Sequence, residues 1–454
     1  MFIAMADYFV NQLKISWAFY ETEFKHVNSV SKKGQKFNSF GSMLDYYLRC
    51  KQSGNMSFFE TESGKNLCRA IERATEIEEV ENGASHYYRV KINKKYIDPA
   101  KNETNISKAA VEFEKFRQMV VIHNNNAIIS MMMRLESFFQ GYFEWLAKKY
   151  PEKYLQEKSI RYSELVKFDY DEMKAQLTKE AADTIMSQPL GEWLKTIRSH
   201  KYNLEPLSPY FDELKEIYYR RNIIVHNNGD VNRAYLLNVG NIPDISLGQH
   251  LKTDKSYIMN AFSVTMIVVY GILYASLKSV PNEKEDFLNF LFNSGFNHML
   301  EKDWKVGKFL FSILISETGM NALDSTLSQI NYWICCKNSG EFKEIREAIE
   351  RTDYSAMSLS VRMAKEMLLE HFDKGVLLLE DSIAASELTP DVVETWPIFL
   401  QFRKSVYYQQ FRQNHAEKIE EQAINTAELS APSEEDDNDC SKDVKDTYKE
   451  NILG

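Results

Sequence analysis

Residues 209–229 read PYFDELKEIYYRRNIIVHNNG, and this stretch decides what kind of fold surrounds it. From Asp212 onward, Leu214, Ile217, Tyr218, Ile224 and Val225 recur at three- and four-residue steps, the spacing of one helix face. Position 221 falls inside that stripe, and it is Arg221. A guanidinium on an apolar stripe costs free energy unless it is paired or used. Arg221 is therefore marked either as a buried ion pair that holds a bundle or as a functional group. Asn222 and His226 are four apart, so they stack one turn over the other on a common face. Arg221 lies about 100° round the helix from Asn222, and its long side chain can bend toward the same cleft. Asn227-Asn228-Gly229 tolerates left-handed backbone and predicts the helix end. His226 then sits in the last turn, where the negative helix end favours a cation. Imidazole is also the side chain best suited to trade protons near neutral pH.

Working outward, residues 256–277 read SYIMNAFSVTMIVVYGILYASL, without a charge. That length just spans a bilayer. Asn260, Ser263, Thr265 and Ser276 dilute it, and it stands where a bundle needs its last helix. A buried bundle or dimer helix is expected rather than a membrane span. Upstream, residues 124–150 (NNNAIISMMMRLESFFQGYFEWLAKKY) form the first long helix of the same bundle. The loop 227–251, NNGDVNRAYLLNVGNIPDISLGQHL, joins the last two helices, and a loop of that length beside a candidate site is commonly functional.

A chain of 454 residues has room for two or three domains. Hydrophobic residues at 44% exclude a wholly disordered chain. Four regions separate: a mixed α+β stretch at 1–105, the helical bundle at 106–280, a helical region at 283–415 and a tail at 416–454. The tail holds twelve Asp/Glu against four Lys/Arg, a net of −8, so the body carries about −10 − (−8) = −2 of the total. It includes APSEEDDNDCSKD and is expected to be disordered, with Asp436, Asp437 and Asp439 solvated rather than metal-binding. The acidic total does not exclude RNA, because local patches decide that.

In the first region, Asn82-Gly83 between two partly alternating runs predicts a hairpin. Arg89, Lys91, Lys94 and Lys95 follow it, interleaved with Tyr87, Tyr88 and Tyr96. That pattern reads as the solvated face of a hairpin or as a contact for single-stranded nucleic acid. In the third region, INYWICCKNSGEFKEIREAIE and VRMAKEMLLEHFDKGVLLLED read as helix-turn-helix units, a degenerate array of the tetratricopeptide kind. Such arrays usually bind a protein partner. The five cysteines form no CxxC pair, so neither a disulfide framework nor a zinc site is expected, and free thiols fit a reducing cytosol. The stretch MFIAMADYFVNQ lacks a basic region followed by a long apolar core, so no signal peptide is read there. No Gly-rich phosphate loop, HExxH or GxSxG is present.

Arg221, Asn222 and His226, with four residues between arginine and histidine, resemble the motif of the HEPN (higher eukaryotes and prokaryotes nucleotide-binding) superfamily. Its ribonucleases carry an arginine, usually a polar residue next, and then a histidine. The resemblance covers about 106–280 and extends to the order of the helices. Arg117 and His123, in FRQMVVIHNNN, give a second match to the bare spacing. That copy is read as incidental, because it has Gln118 after the arginine and precedes the long first helix. The resemblance implies a mainly α fold with a HEPN-like bundle. It implies a metal-independent, cofactor-free endoribonuclease of the cytoplasm, a toxin or antiviral-defence effector, working as a homodimer and off the membrane. His226 would be the general base or acid for 2′-OH attack, Arg221 would stabilise charge on the phosphate, and Asn222 would orient the phosphate or His226. Glu136, on the first long helix, would position Arg221. The alternative implied by the same resemblance is a non-catalytic interaction protein acting through its helical repeats.

Overall fold

The computed structural model describes residues 2–27, 40–53, 56, 58–82, 85–93, 95–96, 99–156, 158–159, 169–240, 245–318 and 320–414. The acidic tail at 416–454 lies outside them. The chain is mainly helical and divides into two compact units, Met1–Val280 and Pro281–Gly454.

In the first unit the elements run α1 (Phe2–Val27), α2 (Phe40–Ser53), α3 (Glu62–Ala74), β1 (Thr75–Asn82), β2 (Ser85–Ile92) and α4 (Pro99–Lys149). They continue with α5 (Tyr170–Met186), α6 (Leu190–Arg198), α7 (Ser208–Asn227), α8 (Arg233–Val239) and α9 (Lys255–Ser276). α4 is about 76 Å long at 1.5 Å per residue, and it organises the unit. α1, α2, α5, α7 and α9 all pack on it. Its first half carries Phe113 and Phe116 into a cluster with Leu44, Tyr47, Phe59 and Ile71. Its second half buries Ile128, Met131, Leu135, Phe138, Phe139, Tyr142 and Leu146, apolar residues at helical spacing that fill the bundle core.

The division expected at residue 105 falls in the interior of α4. The reason is that the first region cannot bury its own helix. α1 places Phe2, Ala6, Val10 and Leu13 inside, against the bundle, with Phe9 edge-on to Phe138 at 5.6 Å and Trp17 stacked on Phe262 at 4.9 Å. The helix order in the bundle therefore begins at residue 2 rather than at 106.

α9 starts at Asp254, whose carboxylate accepts from the Tyr257 amide at 2.7 Å. It is apolar on every side, as a helix surrounded by others must be. By length and composition it could cross a membrane, and 83% of its most apolar window is buried inside the protein. Its few hydroxyls are satisfied internally. Thr265 donates to the Ala261 carbonyl at 2.8 Å, and Ser276 to the Ile272 carbonyl at 2.8 Å while lying 2.6 Å from the Tyr142 hydroxyl. That accounting removes the desolvation penalty that bare hydroxyls would bring.

β1 and β2 pair antiparallel, with Asn82 opposite Ser85, so Asn82 ends a strand and the connection is Gly83-Ala84, outside the described residues. Across the pair, Lys91 bonds Glu78 at 2.9 Å and lies 3.6 Å from Glu76, while Arg89 lies 3.8 Å from Glu78. These cations meet carboxylates of the same hairpin, the arrangement of a solvated sheet face. Lys95 lies over the Tyr96 ring at 5.7 Å, Tyr88 packs into the α2–α4 cluster, and Lys94 lies outside the described residues.

At the far end of α4, His200 is ringed by Tyr150 at 4.5 Å, Tyr154 at 5.6 Å and Tyr202 at 5.6 Å between centroids. Its Nε2 lies 2.5 Å from the Tyr154 hydroxyl. Burial, helped by Lys153, pushes the imidazole down to about 4. An unfolded histidine titrates near ~6.5. Between these values the unfolded chain binds the extra proton, so His200 contributes stability above the upper value and loses it as pH falls toward the lower. The calorimetric midpoint of this unit is expected to drop between about pH 6.5 and pH 4. His200→Phe should flatten that part of the profile, and an unchanged slope would reject this assignment.

The second unit runs α10 (Lys284–Leu300), α11 (Trp304–Ser316), α12 (Ala322–Asn338), α13 (Phe342–Arg351), α14 (Leu359–Leu368) and α15 (Phe372–Ala384). Most neighbours in sequence pack together, α10 on α11, α11 on α12, α12 on α13 and α14 on α15, while α14 packs back on α12. The tight links are set by left-handed residues, Gly340 (φ 87°) before α13 and Glu370 (φ 64°) before α15.

Candidate functional site

α7 shows two flanks. Leu214, Ile217, Arg220 and Ile223 are buried, a run of three-residue steps. Val225 is half exposed and Ile224 only partly covered. The arginine on the buried stripe is thus Arg220, not Arg221, which corrects the expectation drawn from periodicity. Neighbouring arginines on a helix differ by about 100°, so a small rotation of the stripe exchanges their roles.

Arg220 is fully accounted for. Its Nε donates to Glu216 Oε1 at 2.7 Å and its Nη1 to the Lys252 carbonyl at 2.9 Å, and its guanidinium lies 4.1 Å from the Tyr257 ring centroid. Tyr235 and Tyr257 donate to the same carboxylate at 2.6 and 2.7 Å. This is a structural knot between α7, α8, α9 and the loop.

Arg221 turns the other way, toward α4. Its Nη2 pairs with Glu136, its Nη1 donates to Asn222 Oδ1 at 3.2 Å, and its guanidinium lies 5.6 Å from the Tyr218 ring. Its Nε is buried without a hydrogen-bond partner among the described residues. Burial pushes the Glu136 carboxyl up, and the pull of Arg221 in the other direction does not cancel it. The bond to Asn222 ties the guanidinium to the residue that lies one helical turn before His226. His226 is exposed, in the last turn of α7.

The helix ends where the Asn-Asn-Gly run predicts. Asn228 is left-handed (φ 52°), Gly229 follows at φ 82°, and the Gly229 amide donates to the Ile223 carbonyl at 2.9 Å. The expected loop then departs from the sequence reading in two ways. It contains α8, whose Asn232 side chain accepts from the Tyr235 amide at 2.8 Å. It also pairs Asp230 with His250 as an antiparallel bridge, flanked by Val231 N–H to the Gln249 carbonyl (2.9 Å) and Leu251 N–H to the Gly229 carbonyl (3.1 Å). Within that bridge His250 Nδ1 lies 2.9 Å from Asp230 Oδ1. Neither residue stands out in the sequence. Their pairing is a long-range backbone event, and the local hints are the Asn-Asn-Gly-Asp turn on one side and the Ser246–Gln249 turn, with Gly248 at φ 78°, on the other.

The second Arg–His spacing has another use. His123 lies inside α4, not before it, where its ring stacks on Tyr20 at 4.8 Å and its Nε2 lies 3.2 Å from the Tyr20 carbonyl. It ties α4 to α1. Nothing is described of the Arg117 side chain. Among the described residues no group of three or more His, Cys, Asp or Glu side chains is placed to hold a metal ion.

The arrangement at the end of α7 offers an arginine anchored on one side, an asparagine amide, and an exposed imidazole. Together these can bind an oxyanion and move a proton. No protein-family model matches the sequence, and no curated protein or solved structure matches it.

Proposed function

We propose that the chain is a HEPN-type endoribonuclease that cleaves RNA by attack of a 2′-hydroxyl on the adjacent phosphate, without a metal. The observation that carries this reading is the pose of Arg221, tied to Glu136 and donating to Asn222 on the face of exposed His226. His226 moves the proton, Arg221 meets the charge that develops on the phosphate oxygens, and Asn222 orients the phosphate. The products carry a 2′,3′-cyclic phosphate and a 5′-hydroxyl. The half-exposed Val225 beside His226 and the exposed Met133 on α4, one turn from Glu136, give the site an apolar margin. A second copy of the chain would cover it, making the working form a homodimer. By the same resemblance the enzyme acts in the cytoplasm as a toxin or antiviral effector; the helical array at 283–415, outside that resemblance, takes a protein partner.

One observation favours a second reading: Glu136 already satisfies Arg221 within the chain. In that case the pair merely fastens α7 to α4, and the protein is a non-catalytic interaction module. Mixed RNA incubated with purified protein in EDTA separates the two. The wild type is expected to release cyclic-phosphate ends and His226→Ala to lose cleavage. If both leave RNA intact, or both cut it equally, this site is not a nuclease, and sedimentation of the same samples tests the dimer.

A further inference from the structure

The reaction moves two protons. One leaves the 2′-hydroxyl and one must reach the departing 5′-oxygen, and within one copy of the chain His226 serves only one of them in a concerted step. The structure supplies a second imidazole at the same helix end. His250 lies against Gly229, three residues beyond His226, so closely that a side chain at Gly229 would come within 3.0 Å of its ring. The bridge between Asp230 and His250 pins its backbone. Ile223, Val231, Tyr235 and Leu251 form an apolar base beneath the bridge. The Asp230 carboxylate holds Nδ1 at 2.9 Å, while Nε2 has no hydrogen-bond partner among the described residues. A carboxylate on one ring nitrogen, fixing the tautomer and orientation for work at the other, is how a catalytic imidazole is prepared.

We propose that His250 is the second catalytic histidine of this site, the acid that protonates the leaving 5′-oxygen, with Asp230 as its positioning residue. The inference rests on the ribonuclease reading and adds a group to it. In the step, the 2′-oxygen attacks phosphorus as His226 takes the 2′-proton. The bond from phosphorus to the 5′-oxygen breaks, its electron pair stays on that oxygen, and protonated His250 delivers the proton there. The cyclic phosphate and the free 5′-hydroxyl account for every atom, and water returns both histidines to their starting states.

The bland alternative is that the Asp230–His250 pair only fastens the loop to α7. Single-turnover cleavage by the full chain distinguishes them. An RNA oligonucleotide is compared with the same oligonucleotide carrying sulfur in place of the bridging 5′-oxygen at the scissile phosphate. A thiolate departs without protonation, so the sulfur substrate needs the base but not the acid. His226→Gln is expected to slow both substrates. His250→Gln is expected to slow the oxygen substrate by about 10²- to 10⁴-fold and to cut the sulfur substrate at close to the wild-type rate. Equal slowing of both substrates by His250→Gln, or no slowing of either, overturns this inference alone. A wild-type chain that cuts neither substrate overturns the ribonuclease reading and the inference with it. Asp230→Asn, which keeps the shape but not the charge, is expected to lose part of the rate on the oxygen substrate only.

Discussion

Truncation of Glu216 to alanine is expected to destabilise the first unit by about 3–5 kcal/mol, the typical cost of stranding one member of a buried ion pair. The two side chains are nearly inaccessible, Arg220 at 10% and Glu216 at 14% exposure. Burial opposes the charge on Arg220, yet Tyr257 and Glu216 more than offset it and hold the guanidinium charged. With Glu216 gone, the guanidinium keeps the Lys252 carbonyl and the Tyr257 ring, while the hydroxyls of Tyr235 and Tyr257 lose their carboxylate acceptor. Each stranded hydroxyl adds its own desolvation cost of about 1–3 kcal/mol where it finds no water. The check is calorimetry of the full chain, because two units need not unfold in one step and a single midpoint would mix them. The double replacement Arg220→Met, Glu216→Leu is expected to recover much of the loss, since removing both partners leaves no charge in the core. A Glu216→Ala midpoint within error of wild type would show that water reaches Arg220, and that the knot contributes little.

The same knot shows what was legible in the sequence and what was not. Helices whose apolar faces repeat over many turns, α4 and α9, stand out, because burial demands the pattern and nothing competes with it. The Asn-Asn-Gly end of α7 is legible for a local reason: left-handed backbone is tolerated by few residue types. The choice between Arg220 and Arg221 is not local. Leu214 and Ile217 fit either rotation of the stripe, and the decision is made by Glu216, Tyr235 and Tyr257 from three different elements. Pairing of Asp230 with His250 is less legible still, because a single bridge has no periodicity, and the Ser246–Gln249 turn before it, with Gly248 at φ 78°, does not say what pairs with what. The boundary expected at residue 105 lies inside α4, and α1 needs the bundle to bury Phe2, Val10 and Leu13. Glu136 was reachable from its place on the first long helix, although only the fold brings it against Arg221.

On the proposed ribonuclease reading, replacement of Arg221 by alanine is expected to lower kcat by about 10²- to 10³-fold, the usual loss when a preorganised donor to a developing oxyanion is removed. The effect should fall on kcat more than on KM, because the charge that Arg221 meets is greatest in the transition state. Arg221→Lys is expected to restore little. An ammonium carries the charge but cannot pair with Glu136, donate to Asn222 and face a phosphate in one plane. Glu136→Gln tests the anchor by itself. It keeps the shape, removes the charge that pins the guanidinium, and is expected to cost less than Arg221→Ala, with a loss again in kcat. The rival account, in which the pair only fastens α7 to α4, makes the opposite forecast: Arg221→Met would lower the calorimetric midpoint and leave turnover per folded molecule intact. Measuring both quantities on the same variants decides between them. Arg221 is largely covered, its side chain 18% exposed beside a Glu136 that is 30% exposed. Removing one partner of such a pair costs stability whichever account holds. A large loss of turnover per folded molecule is the outcome that a working arginine requires, and one that a mere fastener would not produce.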